Sequence, residues 1–203
     1  MATITRTTAF IDWDTARRVV PHDPSIGRKR LVEREIYCLQ DQIAMALTNR
    51  SRMSYFRVSM RLYHGWYRGK TKTDERRELD IFCAKNRNQR VLKNVSFSPE
   101  IFFGDQLLCG GQRCAIYDTL RVREGKFEPE QKMVDTSLIS DILHYGHTQK
   151  KSPIVVVGDD DDLLPGVFTA DSWGCQVVLC RLRSDDNQHL KTDGLVSRLR
   201  KEP

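Results

Sequence analysis

The chain lacks any apolar run long enough to span a bilayer, and its first residues, MATITRTTAF, lack the apolar core of a signal peptide. These absences predict a cytoplasmic location and no membrane partner. No second CxxC-like pair completes a zinc site with Cys109 and Cys114, and Cys175 and Cys180 bracket a predicted buried strand, so we expect reduced thiols. A chain of 203 residues is long enough for one well-buried domain and short for two.

A net positive charge is also missing from most of the chain. The net charge is +6, and residues 61–93 contain ten basic and four acidic residues, so this window carries the whole excess. The remainder is balanced. A cationic segment of this kind is either a solvated loop or a surface for a polyanion.

The stretch at 153–180 organises the rest of the sequence. It opens with the unbroken apolar run of residues 154–157, which is typical of a strand covered on both faces of a parallel sheet. Gly158 and four consecutive aspartates follow, then a short helical segment and a second apolar run at 177–179. Carboxylates at the carboxyl end of a buried strand lie where open α/β sheets place their ligand sites.

Other segments alternate between strand and helix patterns. A short strand at 8–13 ends near Asp12, apolar residues spaced three and four apart predict a helix over 31–49, and period-two alternation predicts a strand over 56–64. Segments 114–122 and 127–134 are expected to pair, and a helix to follow from 134 to about 146. The pattern predicts an α/β fold with a mostly parallel sheet and helices on both faces. We assign residues 1–183 to this domain, with a basic insertion at about 66–111, and residues 184–203 to a polar tail.

Aspartates follow two predicted strands and begin one predicted helix. Asp12, Asp135 and the group at 159–162 are expected at one edge of the sheet, where they repel one another unless a cation or hydrogen bonds compensate. Hard carboxylate oxygens are the ligands that Mg²⁺ and Mn²⁺ prefer. The sequence therefore predicts a divalent-metal site, with helix capping as the alternative role for individual aspartates such as Asp135 and Asp162.

Three motifs resemble the NYN domains, a branch of the PIN-like nucleases. FIDWDT matches the family's first strand at Asp12, with Thr15 where the family usually has asparagine. Lys132-Met133-Val134-Asp135 looks like the K-G-V-D motif, with Met133 in place of glycine and Asp141 six residues after Asp135. GDDDDLLP after the buried strand is similar to S-G-D-S-D-F-x-P. Their order and spacing agree over most of the chain, apart from the insertion and the tail.

The resemblance implies a PIN-like, Rossmann-like fold and a metal-dependent endoribonuclease, in which water activated by Mg²⁺ or Mn²⁺ attacks the phosphodiester in line. Its expected catalytic residues and metal ligands are Asp12, Asp135, Asp159 and Asp161. The secondary candidates are Asp14, Thr15, Lys132, Asp141, Asp160 and Asp162. An enzyme of this size without an obvious specificity domain is expected to depend on a protein partner or on its basic segment for targeting.

Basic and aromatic residues near the predicted insertion suit single-stranded RNA, because bases stack on aromatic rings while cations contact phosphates. The candidates for RNA binding are Arg61, Tyr63, Trp66, Arg68, Lys70, Lys72, Arg76 and Arg77. Packing of Trp66 inside the protein is the alternative.

Two other functions remain open. Haloacid-dehalogenase-like phosphatases begin with D-x-D-x-T, which Asp12-Trp13-Asp14 resembles, with Asp12 as nucleophile and Asp14 as acid/base. The third possibility is a catalytically degenerate PIN-like module that binds RNA or protein, which Thr15 favours.

Overall fold

The computed structural model describes residues 4–20, 25–68, 70–108, 120–122, 129–131, 133–149, 152–182 and 190–192. Lys132 and the two cysteines at 109 and 114 lie outside these ranges. No helix within the ranges combines the length and the apolar character that crossing a membrane requires.

A seven-stranded sheet forms the centre of the fold. Five strands are parallel to one another, and a short antiparallel strand covers each edge. The parallel strands are β1 (Ile4–Asp12), β2 (Tyr55–Tyr63), β6 (Val95–Phe103), β9 (Ile154–Val157) and β10 (Val177–Leu182); the edge strands are β5 (Arg90–Leu92) and β11 (Leu190–Thr192). Their order is β11-β10-β9-β1-β2-β6-β5.

Two small antiparallel ribbons accompany the sheet. One pairs β3 (Tyr67–Arg68) with β4 (Thr71–Lys72), and the other pairs β7 (Leu120–Val122) with β8 (Pro129–Gln131). The second ribbon confirms the pairing that the sequence predicts for 114–122 and 127–134 within the residues described.

Helices cover both faces of the sheet, as the sequence predicts. They are α1 (Trp13–Ala16), α2 (Arg28–Arg50), α3 (Asp74–Lys85), α4 (Val134–Thr148) and α5 (Leu164–Ser172). Side chains alternate along β1, so Ala9 and Ile11 belong to the core under α2 and α3, whereas Phe10 belongs to the core under α4 and α5. All four residues of β9 are buried, which explains its unbroken apolar run.

The segment at 66–111 differs from the insertion that the sequence predicts. Its residues 74–103 supply α3, which connects β2 to the parallel strand β6, and the edge strand β5. Glu75 and Arg76 occupy buried positions of α3, so hydrophobic periodicity does not reveal this helix. Part of the predicted tail is likewise structured, because β11 pairs with β10.

A buried ionic network ties β2 to α4. Asp141 is completely buried and accepts hydrogen bonds from Arg61 Nε at 2.9 Å, from Tyr63 Oη at 2.7 Å and from the Leu108 amide at 2.7 Å. The Arg61 guanidinium also donates to the Gln106 carbonyl. Because every charge in this network has partners, burial is tolerated.

We expect Asp141→Ala to lower the free energy of unfolding by about 3–5 kcal/mol, because it leaves Arg61 buried without its counter-ion. The double variant Arg61→Met/Asp141→Leu removes both charges and should recover most of that loss. Urea unfolding of both variants measures the difference. A double variant as unstable as the single one would contradict a charge-burial cause.

Candidate active site at the carboxyl edge of the sheet

The chain reverses its direction of growth between β1 and β9. From β1 it adds β2 and β6 on one side, and later adds β9 and β10 on the other. Such a switch point leaves a crevice at the carboxyl ends of the two central strands, where open α/β sheets bind ligands. Asp12 ends β1 and Asp159 follows β9 by two residues, so the predicted carboxylates flank this crevice.

Asp12 is held in one orientation by the turn that follows it. Its carboxylate caps α1 by accepting hydrogen bonds from the amides of Asp14 at 3.0 Å and Thr15 at 3.2 Å. The Thr15 hydroxyl donates a further bond of 2.6 Å to Asp12 Oδ2 and accepts one of 3.2 Å from the Asp159 amide. This hydroxyl therefore joins the ends of β1 and β9 directly.

Asp135 lies in the first turn of α4, which brings its carboxylate to the same edge of the sheet. Met133, the N-cap residue immediately before α4, has a left-handed backbone with a φ of 66°. A residue with a Cβ adopts this conformation only at a cost of about 1 kcal/mol. It is the position at which the K-G-V-D motif has glycine.

The loop after β9 arranges its four aspartates in two different ways. Asp159 forms an ion pair of 2.9 Å with Arg18, and Asp161 forms one of 2.5 Å with Arg181 at the end of β10. Asp160 instead accepts a hydrogen bond from the Asp162 amide at 2.9 Å. Within the ranges described, Asp160 and Asp162 have no basic partner.

Uncompensated negative charge collects between α4 and the strand ends. Burial and then the carboxylates of Asp12, Asp160, Asp14 and Asp162 raise the pKa of Asp135. Burial also raises the pKa of Asp12, against the hydrogen bond from Thr15, which lowers it. The structure thus brings Asp12, Asp135 and Asp160 into one electrostatic field, whereas the sequence favours Asp159 and Asp161 over Asp160.

The carboxylates do not form a closed metal cage. Within the described ranges, no three His, Cys, Asp or Glu side chains lie close enough together to hold an ion among themselves. Mg²⁺ binds through one or two carboxylates and keeps several waters, so an open group of hard oxygen donors fits its chemistry. Among the described residues of this edge, Asp12, Asp135, Asp160 and Asp162 are the carboxylates that form no ion pair with a basic side chain.

Asp14 belongs to a second set of charges beside the crevice. His64 contacts Asp14 through Nδ1 at 3.0 Å and Glu75 through Nε2 at 3.4 Å. Burial alone lowers the pKa of His64, but hydrogen bonds to these two carboxylates outweigh it and raise the pKa to about 9. His64 is therefore an imidazolium at neutral pH.

The same contacts keep both carboxylates ionised. Burial opposes ionisation of Glu75, but His64, the Trp13 indole and Arg17 lower its pKa to about 2. The pKa of Asp14 is also lowered, because His64 and Arg17 outweigh its burial. A carboxyl group held in this way is a poor proton donor, which is the reverse of what the phosphatase mechanism needs from Asp14.

Several predicted nucleic-acid ligands are buried. Tyr63 and Trp66 have no exposed surface, Arg61 is paired with Asp141, and Arg76 is paired with Asp80 and Asp105. The stacking and phosphate-binding roles predicted for these four are therefore replaced by packing roles. Asp141 likewise lies in the interior rather than at the crevice.

The exposed candidates are the remaining four, which are Arg68, Lys70, Lys72 and Arg77. Lys72 forms an ion pair of 2.6 Å with Asp80, and Arg77 forms one of 3.3 Å with Asp74. These pairs are exposed to solvent, so each contributes little to stability and leaves the cation accessible.

The sequence patterns did not predict five charged residues that lie at this edge of the sheet. They are Arg17, Arg18, His64, Glu75 and Arg181. Two signals were present. Arg18 follows Asp14 by four residues, and His64 follows a predicted strand whose carboxyl end lies at the site. Nothing local marks Arg181, because its partner Asp161 belongs to a different strand-to-helix connection.

We expect Thr15→Val to raise the pKa of Asp12 further, because the hydroxyl donor that favours its ionised form is lost. Thr15→Ser keeps that donor and should leave the pKa near the wild-type value. Carbon-detected NMR titration of the Asp12 carboxyl measures both. A Ser variant that shifts as far as the Val variant would show that the methyl group, rather than the hydroxyl, controls Asp12.

The His64 contacts predict a pH dependence of stability. The folded pKa of about 9 lies above the ordinary value of 6.5, so this stabilisation is complete below pH 6.5 and disappears as the pH rises through 9. As the pH rises from 6.5 to 9, the melting temperature of the wild type should decrease, and that of His64→Gln should decrease less. Parallel melting curves over this range would exclude the imidazolium as a stabilising charge.

Comparisons with known proteins add no relative to this picture. No protein-family model matches the chain, and neither a curated protein nor a solved structure matches it. The fold and the geometry of the site therefore rest on the residues of this chain, and the NYN resemblance rests on its three motifs.

Proposed function

We propose that the chain is a metal-dependent endoribonuclease with a PIN-like fold, whose site is the group of Asp12, Asp135 and Asp160. The observation that carries this proposal is the shared field of three carboxylates at the switch point, left without cationic partners in the described ranges. A divalent cation relieves that repulsion. When bound, it supplies an activated water and neutralises charge that develops on a phosphodiester.

The residues of the chain divide the remaining work. Hydrogen bonds from α1 and from the Thr15 hydroxyl fix the direction of the Asp12 carboxylate. Asp135 approaches from α4, and Asp160 approaches from the loop after β9. Three separate elements thus direct carboxylates towards one crevice, which favours an open site in which one or two of them hold a hydrated cation.

Met133 gives independent support to the resemblance. Its left-handed backbone occurs at the one position where the K-G-V-D pattern requires glycine, a residue that adopts this conformation without strain. At this position the backbone therefore has the conformation that glycine adopts readily, although the residue is methionine.

A binding module without catalysis is the second candidate, and the arginine pairs favour it. Arg18 and Arg181 neutralise Asp159 and Asp161 in the way that a cation would. In that reading the remaining carboxylates cap helices, and the protein binds RNA without cleaving it. The phosphatase reading is not supported, since Asp14 is held ionised.

Substitutions of the adjacent Asp159 and Asp160 test the nuclease proposal against the binding module. With Mn²⁺ and a labelled single-stranded RNA, we expect Asp160→Asn to lower the single-turnover cleavage rate by at least about 100-fold, since even outer-shell changes cost 10–100-fold. Asparagine keeps the capping bond to the Asp162 amide, so the loss reports charge. Asp159→Asn should cost less than about 10-fold.

Three results would overturn the assignment. Cleavage at the same rate by wild type and by Asp12→Asn would identify a contaminating nuclease. RNA binding with no cleavage under any divalent cation would favour the binding module. A larger loss in Asp159→Asn than in Asp160→Asn would instead restore the pair that the sequence favours.

A further inference from the structure

Exposed cations extend from the candidate site over the turn after α1, the start of α2 and the helix α3. We call this set the α2–α3 basic surface; its members are Arg17, Arg18, Arg28, Lys29, Arg77 and Lys85. Only Arg77 and Lys85 of these lie in the window that carries the excess charge of the sequence. The surface is therefore assembled by the fold from three separate segments.

Acidic residues that pair with more than one of these cations show that the cations lie next to one another. Arg18 contacts Asp159 at the crevice, and its neighbour Arg17 reaches Glu75 at 3.5 Å. Arg28 approaches the same Glu75 at 3.8 Å and Asp74 at 4.0 Å. Asp74 also pairs with Arg77 at 3.3 Å, so the sequence of contacts runs from the crevice onto α3.

Two cations lie together at the far end of the surface. Lys29 lies beside Lys85 at the end of α3, and the proximity of these two ammonium groups lowers the pKa of Lys85. Glu78 and Glu33 partly oppose that effect. All six cations of the surface are exposed, whereas three of the carboxylates that face them, Glu75, Glu78 and Asp159, are buried or half-buried, so the exposed groups of this set are mainly positive.

The first turn of α2 is also electrostatically unfavourable for the helix itself. It begins with Arg28, Lys29 and Arg30, contains no acidic residue, and has no side-chain cap at Gly27. Cations at this end of a helix repel the partial positive charge of its dipole. Replacing them with neutral residues should therefore not destabilise the fold, which makes the surface testable by mutation.

We propose that the α2–α3 basic surface binds the phosphate backbone of single-stranded RNA and leads the strand into the carboxylate crevice. The inference rests on the proposed function for the identity of the polyanion. Arginine and lysine side chains on phosphates position a strand without reading its sequence. The aromatic residues that sequence analysis assigned to base stacking are buried, so contacts with phosphates are the interaction this surface offers.

The test compares two triple variants of equal net charge. Arg28→Gln/Lys29→Gln/Arg77→Gln removes three cations from the surface. Arg50→Gln/Arg52→Gln/Arg57→Gln removes three exposed arginines from the opposite edge of the sheet, at the end of α2 and the start of β2. Binding of a labelled oligouridine is measured by fluorescence anisotropy in EDTA over a series of KCl concentrations, so no cleavage intervenes.

Each lost phosphate contact lowers the log–log salt slope by about 0.7 for a single strand, so the surface variant should lose about 2. The control variant should keep the wild-type slope. Equal slopes in all three proteins, or equal losses in both variants, would overturn the inference. So would displacement of the RNA by polyglutamate at the same concentration of charge, which would indicate a general anion surface.

The outcomes also separate this inference from the proposed function. Cleavage by the wild type with an unchanged slope in the surface variant refutes the surface and leaves the nuclease assignment intact. A reduced slope without cleavage under any cation refutes the nuclease assignment and leaves RNA binding by this surface intact.

Discussion

The parallel pairing of β1 with β2 on one side and with β9 on the other controls the rest of the structure. Its register places Ile11 opposite both Leu62 and Val157, so the three strands end together. The turns that follow them therefore emerge at one edge, carrying Asp12, His64 and the aspartates after Gly158. A slip of one residue would exchange the two faces of β1 and move Asp12 away from the crevice.

Compensation of charge explains why these neighbouring carboxylates behave differently. Asp14 and Glu75 share an imidazolium, and Asp159 and Asp161 each have an arginine. Within the part of the chain that the structure describes, the remaining carboxylates of this edge have hydrogen bonds or no basic partner. Asp12 is partly buried, whereas Asp135 and Asp160 are exposed, so water screens part of the repulsion among them. A bound cation, which the proposed function requires, would relieve the rest.

Local sequence patterns predicted those parts of the fold that depend on neighbouring residues. The apolar run of β9 and the periodicity of α2 are of this kind, and so is the placement of Asp12 at a strand end. The patterns failed where the burial or the pairing of a side chain depends on residues that are distant in the sequence. Arg76 is buried because Asp105 and the face of Phe103 receive it, and Arg18 reaches Asp159 across 141 residues. The many charged residues at 66–111 therefore suggested an insertion, whereas this segment contains α3, one of the helices that cover the central sheet.

The same long-range compensation places the positive and negative surfaces next to each other. Residues 61–93 carry the excess positive charge of the sequence, yet two of their arginines are buried in ion pairs. Arg61 pairs with Asp141, and Arg76 pairs with Asp80 and Asp105. The cations that remain in solvent beside the crevice come from α2 and the turn after α1 as well as from α3. These cations pair with Asp14 and Asp159, so positive charge lies directly beside the carboxylates of the crevice. Charges of opposite sign therefore lie side by side at this edge, and a polyanion would meet attraction at the cations and repulsion at the carboxylates.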